Sequence, residues 1–94
     1  MSKIVGKFLI PFAEQFELEL PKGAEIVRID MVDGNPYLWA VIDTEAPTET
    51  RYFEAYKTGG QMSEGSELEY IGCMAIHIQM ELMLYVFEVT NVGN

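Results

Sequence analysis

Val32 to Asp43, VDGNPYLWAVID, is the stretch that decides the fold. Asp33, Gly34, Asn35 and Pro36 combine residues that tolerate positive φ with one that cannot donate to a ladder, and β-rich runs lie on both sides, which is the composition of a hairpin tip. The expected pairing places Met31 and Val32 near Tyr37 and Leu38. The returning run, Tyr37 to Ile42, is apolar at every position, so its second face should also be covered by something.

The pattern holds upstream of the hairpin. Residues 25–31 alternate, with Ile26, Arg28 and Asp30 on one side and Val27, Ile29 and Met31 on the other. The side without the charges is expected to face the core. EQFELEL at 14–20 alternates strictly: Phe16, Leu18 and Leu20 fall on one side, Glu17 and Glu19 on the other. Pro21, Lys22 and Gly23 stop that strand. The opening MSKIVGKFLIPF reads as a strand, because it lacks a small-residue cleavage site and Glu14 follows closely.

Downstream, DTEAPTET at 43–50 reads as a loop, and RYFEAYK at 51–57 resumes β-type composition. The glycine- and serine-rich TGGQMSEGSE at 58–67 cannot hold a regular element and is expected to be the most mobile connection. Residues 68–89 read as two strands. Helix formers crowd MAIHIQMELML, and no Gly or Asn marks a turn there, so a short helix near 74–83 is the alternative. The expected architecture is one all-β domain over 1–94, a compact antiparallel sandwich or small open barrel of six to seven strands.

Charge excludes several function classes. Fifteen acidic against six basic side chains leave −9 at pH 7, which repels nucleic acid and anionic membranes over a Debye length of ~8 Å. Direct nucleic-acid binding is not expected; a basic protein partner is. The most apolar stretch, 71–87, is interrupted by His77, Gln79 and Glu81 before the ~20 residues of a membrane helix. One cysteine, Cys73, precludes an intrachain disulfide and points to a reducing cytoplasm.

No catalytic, metal or cofactor constellation stands out. His77 is the sole histidine and lies between Ile76 and Ile78 without an orienting or coordinating companion, so a sheet position is the expected role. Cys73 lacks a base or electropositive setting and reads as a packed side chain. Gly59-Gly60 lacks the lysine and helix of a phosphate loop. Tyr37 with Trp39, and Tyr52 with Phe53 and Tyr56, suit either a sheet core or an aromatic platform for a peptide. Arg28 or Arg51, turned into a pocket, would be needed to hold a nucleotide.

Taken together, ELPKGAEIV at 19–27, GNPYLWAVID at 34–43, LEYIG at 68–72 and YVFEV at 85–89 resemble a family of small bacteriophage and prophage proteins of unknown function. That family carries an LPxGA turn, a PxLWAxVD strand, a YIG strand and a terminal VFE strand in this order. The motifs are structural, so the resemblance implies a fold and a phage origin rather than an activity. Relatives often carry a glycine-histidine motif after the aromatic strand and a histidine before the VFE. Gly59-Gly60 and Tyr85 stand there in this chain, so any activity built on those histidines would be missing.

With no reactive constellation the chain reads as a non-enzymatic protein, and the phage origin that the resemblance implies places it in the host bacterial cytoplasm, where the expected role is an inhibitor of host defence of the anti-CRISPR kind. It would occupy a host protein, such as a nucleic-acid-binding defence complex, with an acidic face. The expected contacts are Glu17 and Glu19, about 7 Å apart on one strand, extended by Glu45, Glu49, Glu64 and Glu67. The doubly apolar strands imply a homodimer through Tyr37, Met80, Leu82 or Leu84, because a large apolar patch left in water is a solubility hazard. A self-assembling phage component and a nucleotide sponge are the alternatives.

Overall fold

A computed structural model describes residues 2–77 and 80–91. Among the described residues there are seven strands and no helix: β1 Lys3–Leu9, β2 Gln15–Pro21, β3 Glu25–Val32, β4 Asn35–Asp43, β5 Thr48–Lys57, β6 Glu67–His77 and β7 Glu81–Asn91. They form two antiparallel sheets, a three-stranded sheet A in the order β1-β4-β3 and a four-stranded sheet B in the order β2-β5-β7-β6. The all-β expectation, with sheets packed as a sandwich or open barrel, holds.

The hairpin turns where its composition says it should, but it is tighter than expected. Asp33 (φ 51°) and Gly34 (φ 81°) alone form the loop, a pair of positive φ angles that matches the right-handed twist of the flanking strands. Asn35 and Pro36 therefore belong to β4. Val32 pairs with Asn35, Met31 with Pro36 and Asp30 with Tyr37, which corrects the expected register. Pro36 is tolerated at the start of a central strand, since its carbonyl still accepts from the Ile10 N–H at 2.9 Å.

A second correction concerns β3. The ladder slips between Ile26 and Arg28, leaving Val27 as a bulge that is 56% exposed. A bulge adds one residue and reverses the alternation before it, so Ile26 rather than Val27 joins Ile29 and Met31 against the core.

The helix alternative at 74–83 is overturned as well. Met74 to His77 continue β6, Glu81 to Met83 begin β7, and Ala75 pairs with Met83, Ile76 with Leu82 and His77 with Glu81. Residues 78 and 79 of that span lie outside the described residues. Helix propensity there differs from strand propensity by tenths of a kcal/mol per residue, and the long β6–β7 ladder outweighs it.

The core lies between the sheets. Leu20, Leu38, Phe53 and Val86 are fully buried, and Phe16 stacks on its ladder partner Phe53 with centroids 5.1 Å apart. Edge strands β3 and β6 pack across the inter-sheet gap. A Cβ on Gly72 of β6 would lie 2.7 Å from Ile29 Cγ2, so only glycine permits this approach. No helix among the described residues is long and apolar enough to cross a membrane.

Candidate functional site

Each sheet turns a second face to solvent, and the two faces differ. In β4, Leu38 and Ala40 are fully buried, so alternation sends Tyr37 and Trp39 outward. The ladder neighbours of Trp39 are Lys7 on β1 and Arg28 on β3. Lys7 Nζ lies 4.1 Å from the Tyr37 centroid, and the Arg28 guanidinium carbon lies 4.9 Å from that of Trp39. The cover that the sequence demanded is thus a pair of cations on ring faces. Arg28 also bonds Asp30 at 2.6 Å. That hydrogen bond, helped by the Met31 N–H, holds the Asp30 carboxyl below the usual aspartate range.

Five aromatics line the outer face of sheet B: Tyr52 and Tyr56 on β5, Tyr85 and Phe87 on β7, and Tyr70 on β6. Tyr56 and Tyr70 both meet Phe87 edge-on, with centroids 6.0 and 5.5 Å away. The neighbouring Cys73 thiol on the same face pushes the Tyr70 hydroxyl ionisation up. Tyr52 is 50% exposed and Tyr70 55%. Among the described residues no lysine or arginine lies over these rings. Charge follows the same division. The strands of sheet A balance Lys3, Lys7 and Arg28 against Glu25, Asp30 and Asp43, whereas those of sheet B set eight carboxylates against Arg51 and Lys57.

The sharpest feature of this second face is Glu54. Its neighbours Phe53 and Ala55 point into the core, so Glu54 points outward, yet it is only 9% exposed. The loop after β5 accounts for this. Gly59 takes a positive φ of 83° and the Gly60 N–H bonds the Lys57 carbonyl, which turns the chain back over the sheet. The Ser63 hydroxyl then donates to Glu54 Oε1 at 2.6 Å, and the Tyr56 hydroxyl bonds the same oxygen. The Ser63 N–H donates to the Tyr56 oxygen at 3.0 Å. The segment expected to be most mobile is therefore tied to the sheet at its middle. Beside it opens a cleft of about 450 Å³ lined by Gln15, Glu17, Tyr52, Glu54, Ser66 and Val89. Glu17 is the ladder partner of Tyr52, and Gln15 that of Glu54.

Of the six glutamates expected to form one acidic surface, Glu17 and Glu19 stand together on this face, with Glu19 accepting from the Thr50 hydroxyl at 2.5 Å. Glu49 lies on the opposite side of β5 and accepts from the Gly23 N–H at 3.2 Å. Glu45 sits in the β4–β5 turn, Glu64 in the loop after β5, and Glu67 at the start of β6.

The residues expected at a dimer interface also separate. Tyr37 is on the outer face of sheet A. Leu82 and Leu84 face inward, where they line a separate cleft of about 390 Å³ with Phe12 and Ile76, and Met80 is 74% exposed just before β7.

Arg51 is engaged inside the molecule. Its guanidinium forks onto Glu88 at 2.6 and 2.7 Å and donates to the Ala24 carbonyl at 2.5 Å. Those Glu88 bonds raise its ionisation further. His77 pairs across the ladder with Glu81, and Cys73 is exposed. Among the described residues no group of three His, Cys, Asp or Glu side chains forms a metal-binding arrangement. The sequence carries no signal for Glu54, because its burial depends on the loop folding back.

A family model described as Domain of unknown function (DUF7352) matches residues 1–94. No curated protein and no solved structure matches the chain.

Proposed function

The chain belongs to the family described as Domain of unknown function (DUF7352), and from that premise and the geometry of sheet B we propose that it is a non-enzymatic binding protein that occupies a basic surface of another protein. One observation carries the reading. The outer face of sheet B presents Glu17 and Glu19 beside the exposed Tyr52 ring, and among the described residues no cation lies over that ring. Aromatic rings supply contact area at low entropic cost, and carboxylates speed encounter with a basic partner. In the phage setting that the sequence motifs suggest, the partner is a host protein of a nucleic-acid-handling defence complex, and the chain inhibits it in the host cytoplasm.

The test is charge reversal. E17K/E19K should weaken capture of the basic host protein more than tenfold at low salt while shifting the melting temperature little, since both side chains stand in water. Capture that survives the double reversal overturns the reading.

Self-association is a second reading, favoured by the apolar cleft of Phe12, Ile76, Leu82 and Leu84 and, separately, by the exposed Met80. Sedimentation at rising concentration should then show a dimer. A monomer at every concentration would remove it.

A further inference from the structure

We propose that the cleft between β2 and β5 takes an arginine side chain of the partner, its guanidinium meeting Glu54 and Glu17 and its plane lying on Tyr52. This rests on the protein-binding reading above and names the group recognised. Two carboxylates largely covered by the fold, Glu54 buried and Glu88 partly so, supply the argument. Glu88, whose side chain is 13% exposed, has both oxygens engaged by the Arg51 fork. Glu54 is buried to a similar degree, yet only Oε1 is engaged, by two hydroxyls. Among the described residues it forms no ion pair, and nothing donates to Oε2.

A carboxylate mostly covered by its own fold, with one oxygen unengaged and no cation beside it, gains when a hydrogen-bonding counter-charge arrives. The free oxygen is not sealed in, since among the described residues no fully buried side-chain oxygen lacks a partner, and Glu54 lines the open cleft. The hydroxyls of Tyr56 and Ser63 fix the carboxylate in place before any ligand enters, which lowers the ordering cost of binding.

The remaining walls match a guanidinium rather than a simpler cation. Arginine offers five donors in a planar fork. The cleft is lined by Glu54, Glu17, Gln15 and Ser66, all residues with acceptor oxygens, around one half-exposed ring. An ammonium would satisfy the charge but would leave the ring face and several acceptors unused. A neutral sugar would use the ring and leave the charge unpaired.

The experiment is an NMR titration of the intact chain with a glycine–arginine repeat peptide, run in parallel with lysine and citrulline versions. Citrulline keeps the shape of arginine and removes its charge. The arginine peptide should bind saturably, with shifts centred on Gln15, Tyr52, Glu54 and Ser66, and the lysine and citrulline peptides should bind at least tenfold more weakly. Glu54→Gln keeps an oxygen for Tyr56 and Ser63 and should lose tenfold or more in arginine-peptide affinity with only a small change in melting temperature. Tyr52→Ala, at a half-exposed position, should weaken binding independently.

Equal binding of arginine and citrulline peptides, or full binding by Glu54→Gln, overturns the proposal. Equal binding of the lysine peptide overturns the guanidinium assignment. If host-protein capture depends on Glu17 and Glu19 but ignores Glu54→Gln, the arginine cleft fails and the acidic-face reading stands. If the arginine peptide binds and no basic host protein is captured, the cleft stands and that reading falls.

Discussion

Two sheets of one small protein turn aromatic rows to solvent and treat them in opposite ways. On sheet A, Tyr37 and Trp39 are flanked by β1 and β3, and each flanking strand contributes a cation that lies on a ring. On sheet B, Tyr52 and Tyr70 are half exposed, and the nearby charges are carboxylates. The first face satisfies itself. The second has no such cover among the described residues, so the difference separates rings that the fold covers from rings that it leaves open to contact.

The largest expected effect sharpens this comparison by contrasting the two carboxylates largely covered by the fold. Arg51→Met would strand Glu88 without its fork, and breaking a buried pair in this way costs ~3 kcal/mol. For a domain of this size each kcal/mol moves the melting temperature by roughly 4–8 °C, so a drop beyond ten degrees is expected in thermal unfolding. Glu54→Gln should cost less than ~1 kcal/mol, because the amide oxygen still accepts from Tyr56 and Ser63. Equal losses would mean that the charge on Glu54 is already compensated within the fold, and the contrast between the faces would collapse.

The parts of the molecule legible in the sequence were those set by local alternation. Phe16, Leu18 and Leu20 face inward as expected, and the Asp33-Gly34 turn lies within the expected tip. Misreadings arose where one residue changed the phase. Counting Asn35 and Pro36 into the turn displaced the register, and the bulge at Val27 reversed the upstream half of β3. The cover over Trp39 was inferred correctly as a need, but its source was not legible. It comes from Arg28, with Lys7 over the neighbouring Tyr37, and both reach these rings only through the sheet A ladders. Glu54 was hidden for a related reason, since its burial is caused by Ser63, nine positions along a loop with no periodicity.

A smaller effect is expected from stripping the cover on sheet A. K7A/R28A removes the side chains lying over Tyr37 and Trp39, and exposed cation–π contacts are worth ~0.5–1 kcal/mol each. A loss of ~1–2 kcal/mol in denaturant unfolding should follow, together with increased binding of a hydrophobic dye at the uncovered rings. Unchanged stability and dye binding would show that the cations merely rest on this face, and would make the two faces equivalent.

The smallest effect concerns pH and again distinguishes the faces. The hydrogen bond from Arg28 depresses the Asp30 carboxyl below the usual aspartate value, which is about 3.9. A carboxyl whose folded-state value is depressed contributes stability that is fully present above its unfolded value and is lost as pH falls through the folded one. Asp30 is exposed, so the contribution is small and is best followed locally. Trp39 is the only tryptophan, and Arg28 lies on its ring, so its fluorescence reports the state of this ion pair. Acid titration should give a fluorescence step with a midpoint below the usual aspartate range, before far-UV circular dichroism records unfolding. In Asp30→Asn that step should vanish while the signal from sheet B tyrosines is unchanged. A step that persists in Asp30→Asn would mean that Arg28 is held over Trp39 by the ring alone, and that the cover of sheet A does not depend on its acidic neighbour.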